Sequence, residues 1–397
     1  MNYYISKDVR VMIKDRVMIK DLNTIHLINV IIIIMELQRY ISEHSDYLSC
    51  FKQHGLKVRK KKHLALVKYS YDHMMDLTDE SLTWMRYCRG AIIDTESHKV
   101  VCCPPIKARE LQHGDYVSED NKYDYQPIID GTMINLFYDT KDQEWILSTR
   151  GEIGANNRWD TNMSFKQMFD ECHSGIDYET LHKGLSYSFV MRHTKNRIVA
   201  PVQYNELYLV EIYSYQNDIK RLEVSEYPET SFHSAETVTD VNEFMEIYDK
   251  PLPYYIKGFT MKMKGGTQRY KYLNPNYLYV KNLKPNTNNP HLNYLELRGS
   301  GMLREYLSYY PEYTDEYNGY RDQLHKMSNE LYTTYKNVHV YKRTEKTDIP
   351  FHMKPLIYEI HGKYLETREP TTWSHIKDYI HELPPKKLMF ALNYCEK

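Results

Sequence analysis

The chain has 397 residues, with 52 Lys and Arg against 53 Asp and Glu and a formal net charge of −1. That length suits two or three domains and a sizeable core. The charge balance excludes a global basic field for nucleic acid, so any such contact has to come from local patches.

Residues 1–34 read as an N-terminal extension. "RVMIKDRVMIKD" is a six-residue duplication, and "HLINVIIIIM" is a short apolar run. About ten apolar residues are too few to span a bilayer as a helix, and no small-residue cleavage site follows. The expectation is a buried strand or a poorly ordered extension, with no membrane partner. From Met35, "MELQRYISEHSDYLSCFKQHG" is helical, with apolar residues at Leu37, Ile41, Tyr47 and Leu48 and a stop at Gly55. "KVRKKKH", residues 57–63, is the densest basic patch and reads as a solvated helix end or loop.

Strand signals then recur at "LALVKYSY", "AIID", "KVVCCPP", "MINLFY", "EWILSTR", "YSFVMRH", "RIVAP", "LYLVEIYSY" and "YYIKGFTMKMKGG", with a helix around "SFKQMFDECHS". Many short strands with few helices predict an α+β architecture. "KNLKPNTNNPHLN" has the composition of a linker, and the stretches beyond it read as helices. The predicted domains are therefore 35–290, α+β, and 291–397, all-helical and suited to a protein partner.

The six cysteines form no C-x-x-C pair, and no histidines sit at zinc-ligand spacing. Reduced thiols in a cytoplasmic protein, with no metal centre, are expected. Cys102 and Cys103 are adjacent in a strand pattern and should point to opposite faces. Tyrosine is abundant, at 39 residues. The series Tyr306, Tyr309, Tyr310, Tyr313, Tyr317 and Tyr320 lies at helical spacing and reads as helix packing rather than a base-stacking ladder.

The order of several segments carries the functional reading. "CRGAIID" (88–94) and "VVCCPPIKARE" (100–110) precede "QPIIDGTMINLFY" (126–138). "STRGEIG" (148–154), "YSFVMRHTKNRIV" (187–199), "IKGFTMKM" (256–263) and "RYKYLNPNY" (269–277) follow. In this order the chain resembles viral-type RNA ligases, those similar to phage RNA ligase 1, within the covalent nucleotidyltransferases. The resemblance spans roughly 64–285 and implies an ATP-grasp-like ligase domain of antiparallel sheets. It implies a lysine that attacks ATP, with Mg2+ held by carboxylates and cations on the triphosphate.

Matched to that pattern, Arg89, Lys107, Arg150, Arg197 and Lys271 are the implied nucleotide- or phosphate-binding residues, with Asp130 and Gly131 beside the nucleophile position. The departures fall on the catalytic side. The nucleophile position is Ile128. A carboxylate position is Val190, a second is Lys257, and the last lysine of the final motif is Leu273. Lys122 and Lys257 are the fallback nucleophiles, and Arg269 or Lys264 the substitutes in the final motif.

Three readings follow. The first is a catalytically degenerate ligase-like protein that keeps a cationic pocket for a nucleotide or RNA end. The second is an active ligase that uses ATP and Mg2+ through a relocated lysine. The third is an interaction module with no ligand.

Overall fold

In a computed structural model, the described residues are 36–69, 80–111, 122–159, 162–172, 176–215, 220–222, 224, 233–234, 250–264, 266 and 268–393. The extension over 1–34 and Cys395 lie outside them. Among the described residues no helix is long and apolar enough to cross a membrane.

In the first sheet β1 (Leu56–Lys61), β2 (Leu64–Tyr69), β3 (Arg89–Asp94) and β4 (Lys99–Cys102) pair in that order, all antiparallel. Leu64 and Leu66 of β2 face a core with Ile92, Cys102, Phe137 and Ile153. Val67 and Tyr69 face the opposite one, with Leu37, Ile41, Phe51, Trp84 and Cys103. A strand with both faces covered needs apolar residues on both, which is why β2 reads as a continuous apolar run broken only by Lys68. Cys102 and Cys103 enter these two different cores, as their adjacency predicts. The covering helices are α1 (Glu36–Glu43) and α2 (Tyr47–Gln53), two short helices where the pattern suggested continuous helix.

The second sheet runs β11 (Lys220–Leu222), β10 (Glu206–Ser214), β9 (Leu185–Arg192), β7 (Thr132–Asp139), β8 (Glu144–Ser148), with β12 (His233–Ser234) alongside β10. Its apolar face, with Ile134, Leu136, Phe189 and Leu209, packs on Phe165, Met168 and Phe169 of α3 (Phe165–Cys172). The third sheet orders β5 (Arg109–Glu110), β14 (Arg269–Leu273), β13 (Gly258–Met263) and β6 (Tyr123–Pro127). The architecture is thus α+β, with largely antiparallel sheets followed by helices, as predicted.

Three local readings are corrected. The basic stretch is not a helix end or loop. It forms edge strand β1, where Arg59 donates to the Gly151 carbonyl (2.8 Å) and Lys61 to that of Ile153 (3.0 Å). Charged side chains on an edge strand also oppose further strand pairing. "RIVAP" is irregular, because the Val199 and Ala200 N–H groups point at a side-chain carboxylate instead of a strand (below). Much of the supposed linker is helical: Lys281–Leu283 end α4 (Pro275–Leu283), and Asn289 caps α5 (Pro290–Gly299). The Asn289 side chain accepts from Leu292 N–H at 3.1 Å and Pro290 occupies the first turn, so the turn-like composition is a helix start.

The chain divides into two compact units, Met1–Tyr277 and Leu278–Lys397, against a sequence boundary placed near residue 290. In the second unit α6 (Leu303–Tyr309) and α7 (Thr314–Tyr335) carry the tyrosine series. Tyr306, Tyr310 and Tyr317 are buried, and Tyr306 stacks on Tyr310 at 4.6 Å and on Tyr317 at 5.9 Å. They are packing residues, as expected.

Candidate functional site

The cationic half is assembled by a glycine. Arg89 opens β3, and Gly90 follows at φ +111°. A Cβ there would stand 3.0 Å from the Arg150 Cα and 3.2 Å from its carbonyl oxygen. Only glycine lets the start of β3 lie this close to the turn after β8, and that approach sets Arg89 beside Arg150. Burial, then Arg150, then Arg269 pull the Arg89 guanidinium down to about 10.

Lys107 stands with its ammonium 5.6 Å over the Tyr69 ring. It too is lowered, by burial and then by Arg89, Lys271 and Arg150. Lys271 on β14 pairs with Glu110 at 2.9 Å. Lys68 is lowered by burial and then by Arg59, Arg150 and Lys57. Positive groups lower one another in this way when they are close, so Lys68, Arg150, Arg89, Lys107 and Lys271 form one connected set. Gly90→Ala should separate its two arginines and cost about 1–3 kcal/mol in backbone strain. Thermal melting checks this, and an unchanged melting temperature would show that the close approach is not required.

The second half is organised by Asp130, on the loop between β6 and β7. The side chain is buried, 8% exposed. Its Oδ2 accepts the N–H groups of Val199 (3.0 Å) and Ala200 (2.9 Å). Its Oδ1 accepts the Tyr277 hydroxyl at 2.6 Å and lies 3.5 Å from the Lys257 ammonium. The Ile128 N–H donates to the Gly258 carbonyl at 2.8 Å. A Cβ on Gly131 would fall 2.4 Å from the Met191 carbonyl oxygen and 2.8 Å from Val190 Cγ1. Ile128, Val190 and Lys257 are therefore gathered around one carboxylate.

Asp130 and Gly131, expected on the nucleotide, make these contacts within the fold. Asp130 already holds four donors, and Gly131 is glycine because β9 lies against it. Arg197 donates from Nε to the Val199 carbonyl at 3.0 Å, on the Asp130 side. Lys122, the other fallback nucleophile, lies away from the Ile128 position. It is exposed and sits at the far end of β6 from Ile128, its carbonyl bonded to Lys264 N–H. Six residues of strand separate the two by roughly 20 Å. Lys257 does neighbour the Ile128 position, but as an ion pair, with its ammonium also 5.7 Å over the Tyr277 ring. Arg269 is tied to the buried Glu211, and Lys264 pairs with Asp124 at 3.6 Å.

Two residues escaped the sequence reading. Lys68 had a signal, as the lone cation in an apolar strand. Glu211 had the same signal in "LYLVEIYSY". It is fully enclosed, bonded to Arg269, 3.3 Å from Lys262 and accepting the Tyr213 hydroxyl at 2.9 Å.

No family model matches the chain, and no curated protein matches its sequence. Among solved structures, an archaeal ATP-dependent RNA ligase is similar at 12% identity and a TM-score of 0.42, over 88% of this chain and 76% of that one. A candidate ATP-dependent DNA ligase from Aquifex aeolicus is similar at 14% identity and a TM-score of 0.41, over 73% and 80%. An RNA ligase of Naegleria gruberi, in a K326A mutant with ATP and Mn, is similar at 11% identity and a TM-score of 0.32, over 41% and 52%. At such values the likeness assigns no activity to this chain.

Proposed function

We propose that the N-terminal unit is a catalytically degenerate relative of ATP-dependent RNA ligases that binds the phosphate of a nucleotide or RNA end without forming a lysine adenylate. The observation that carries this is the connected cation set, Arg89, Lys107, Arg150 and Lys271 with Lys68. Lys68, Arg89 and Lys107 hold their protons less tightly because of burial and the cations around them, while Glu110 pairs with Lys271 and the enclosed Glu211 acts on Arg89. A phosphate would relieve that repulsion and accept charge-assisted hydrogen bonds. On the other side, the nucleophile position is an isoleucine, and the neighbouring Lys257 is ion-paired to Asp130. An ammonium in an ion pair has no lone pair with which to attack ATP. With Val190 and Lys257 at the carboxylate positions, the acid beside them is Asp130, whose oxygens already hold four donors rather than a Mg2+ ion.

The test is incubation of the full chain with α-labelled ATP and Mg2+ or Mn2+, followed by denaturing electrophoresis, beside titration with 5′-phosphorylated and 5′-hydroxyl RNA. The expected result is no covalent label and tighter, salt-sensitive binding of the phosphorylated RNA. Arg89→Ala and Arg150→Ala should each weaken that binding about tenfold or more, at ~1.5–3 kcal/mol for a hydrogen bond to a charged group. A label that maps to Lys257 would replace this reading with an active ligase. Equal binding of the two RNAs would leave an interaction module.

A further inference from the structure

Three hairpin turns meet at one edge of the N-terminal unit. The β1–β2 turn is Lys62-His63, with Lys62 at φ +53°. The β7–β8 turn follows Asp139 and carries Lys141 and Asp142. Thr95, just after β3, donates both its N–H and its hydroxyl to the His63 carbonyl, each at 2.8 Å. Lys141 reaches Glu96 at 2.5 Å. These bonds fix His63 against the end of β7.

There, one ligand atom each from His63, Asp139 and Asp142 lies within 4.8 Å of the others. His63 and Asp139 are both 6% exposed. The three side chains line a cavity of about 400 Å3, together with Trp145, Lys166 and Tyr178. Asp139 is satisfied on one oxygen only. Its Oδ1 takes the Lys141 N–H and contacts His63 Nε2, both at 3.1 Å. Its Oδ2 is buried and receives no hydrogen bond. A buried carboxylate oxygen with no donor loses its hydration without compensation. A histidine and an exposed aspartate beside it supply what a cation would need to fill that gap.

We propose that His63, Asp139 and Asp142 bind one divalent transition-metal ion, of the Zn2+ or Mn2+ kind. One imidazole with two carboxylates suits such ions, whereas Mg2+ and Ca2+ prefer oxygen ligands alone. The two carboxylates balance the charge of the ion, and the cavity has room for water to complete its coordination. Binding exchanges the His63–Asp139 hydrogen bond for two metal bonds, so His63 Nε2 must be free of its proton. It also displaces Lys62, whose ammonium lies 2.5 Å from Asp142 Oδ2.

That competition distinguishes a metal site from a cluster of ion pairs. The site uses none of the residues assigned to the phosphate, so either proposal can fail alone. No local pattern announces it, because His63 and Asp139 are 76 positions apart.

The experiment is calorimetric titration of the full chain with Zn2+, paramagnetic titration with Mn2+, and Mg2+ as the comparison. One equivalent of Zn2+ or Mn2+ should bind, more tightly than Mg2+. Asp139→Asn and Asp142→Asn should each weaken binding by at least the ~10–100-fold that even an outer-sphere partner contributes. Lys62→Met should strengthen it. Asp142 lies at the surface, so its variant keeps the test decisive if Asp139→Asn fails to fold. Absence of binding, or binding unchanged in both aspartate variants, overturns the proposal. Lys62→Met that weakens metal binding overturns it as well.

Discussion

Asp130→Ala should unfold the N-terminal unit at markedly lower urea, losing about 3–5 kcal/mol, the range for breaking a buried ion pair on one side. Four groups lose their acceptor together: the Val199 and Ala200 N–H groups, the Tyr277 hydroxyl and the Lys257 ammonium. They come from the irregular segment after β9, from the start of α4 and from the residue before β13, so one carboxylate ties three distant stretches to the β6–β7 loop. Asp130→Asn should be nearly as damaging. Both oxygens accept hydrogen bonds, and an amide offers only one acceptor and turns an N–H2 toward donors on the other side. Tryptophan fluorescence reports the transition, because Trp84 and Trp145 belong to this unit. A loss below ~1 kcal/mol, the scale of one ordinary hydrogen bond, would mean that Asp130 is not the anchor these contacts describe.

Asp130 also marks where reading the sequence stops short. "DG" in front of an alternating strand locates the site, because a loop that meets two other strands needs a residue without a side chain. Gly131 against Met191 and Gly90 against Arg150 are such close approaches. Strand signals likewise predicted β7 and β9. What remained hidden was pairing. Whether a lysine is a nucleophile or half of an ion pair depends on a partner 127 positions away, as with Lys257 and Asp130. Local composition also misled where one side chain redirected the backbone. Asn289 turned a linker-like stretch into a helix start, and the Asp130 carboxylate turned "RIVAP" from a strand into a ligand of its own.

Glu211 carries the second large expectation, with a pH dependence that identifies it. Burial alone would raise its carboxyl, but Arg269, Lys262 and Arg221 together bring it down to about 2. The folded value lies below the ordinary 4.5, so the stabilisation is fully present above pH 4.5 and is lost as pH falls toward 2. That displacement corresponds to about 3 kcal/mol. Glu211→Gln should remove this acid limb and, near neutral pH, cost about 3–5 kcal/mol, because it leaves Arg269 and Lys262 facing each other in a closed interior. The two cations will not respond alike. Arg269 keeps its charge at any accessible pH. Burial already draws Lys262 below its usual range, and Glu211 is the chief group that opposes it. Without Glu211 the lysine can shed its proton, so the variant's deficit should shrink between pH 6 and 9. Urea titrations of wild type and variant across pH 3 to 9 test both limbs. Parallel stability curves would show that the ion pairs around Glu211 are not what couples this core to pH.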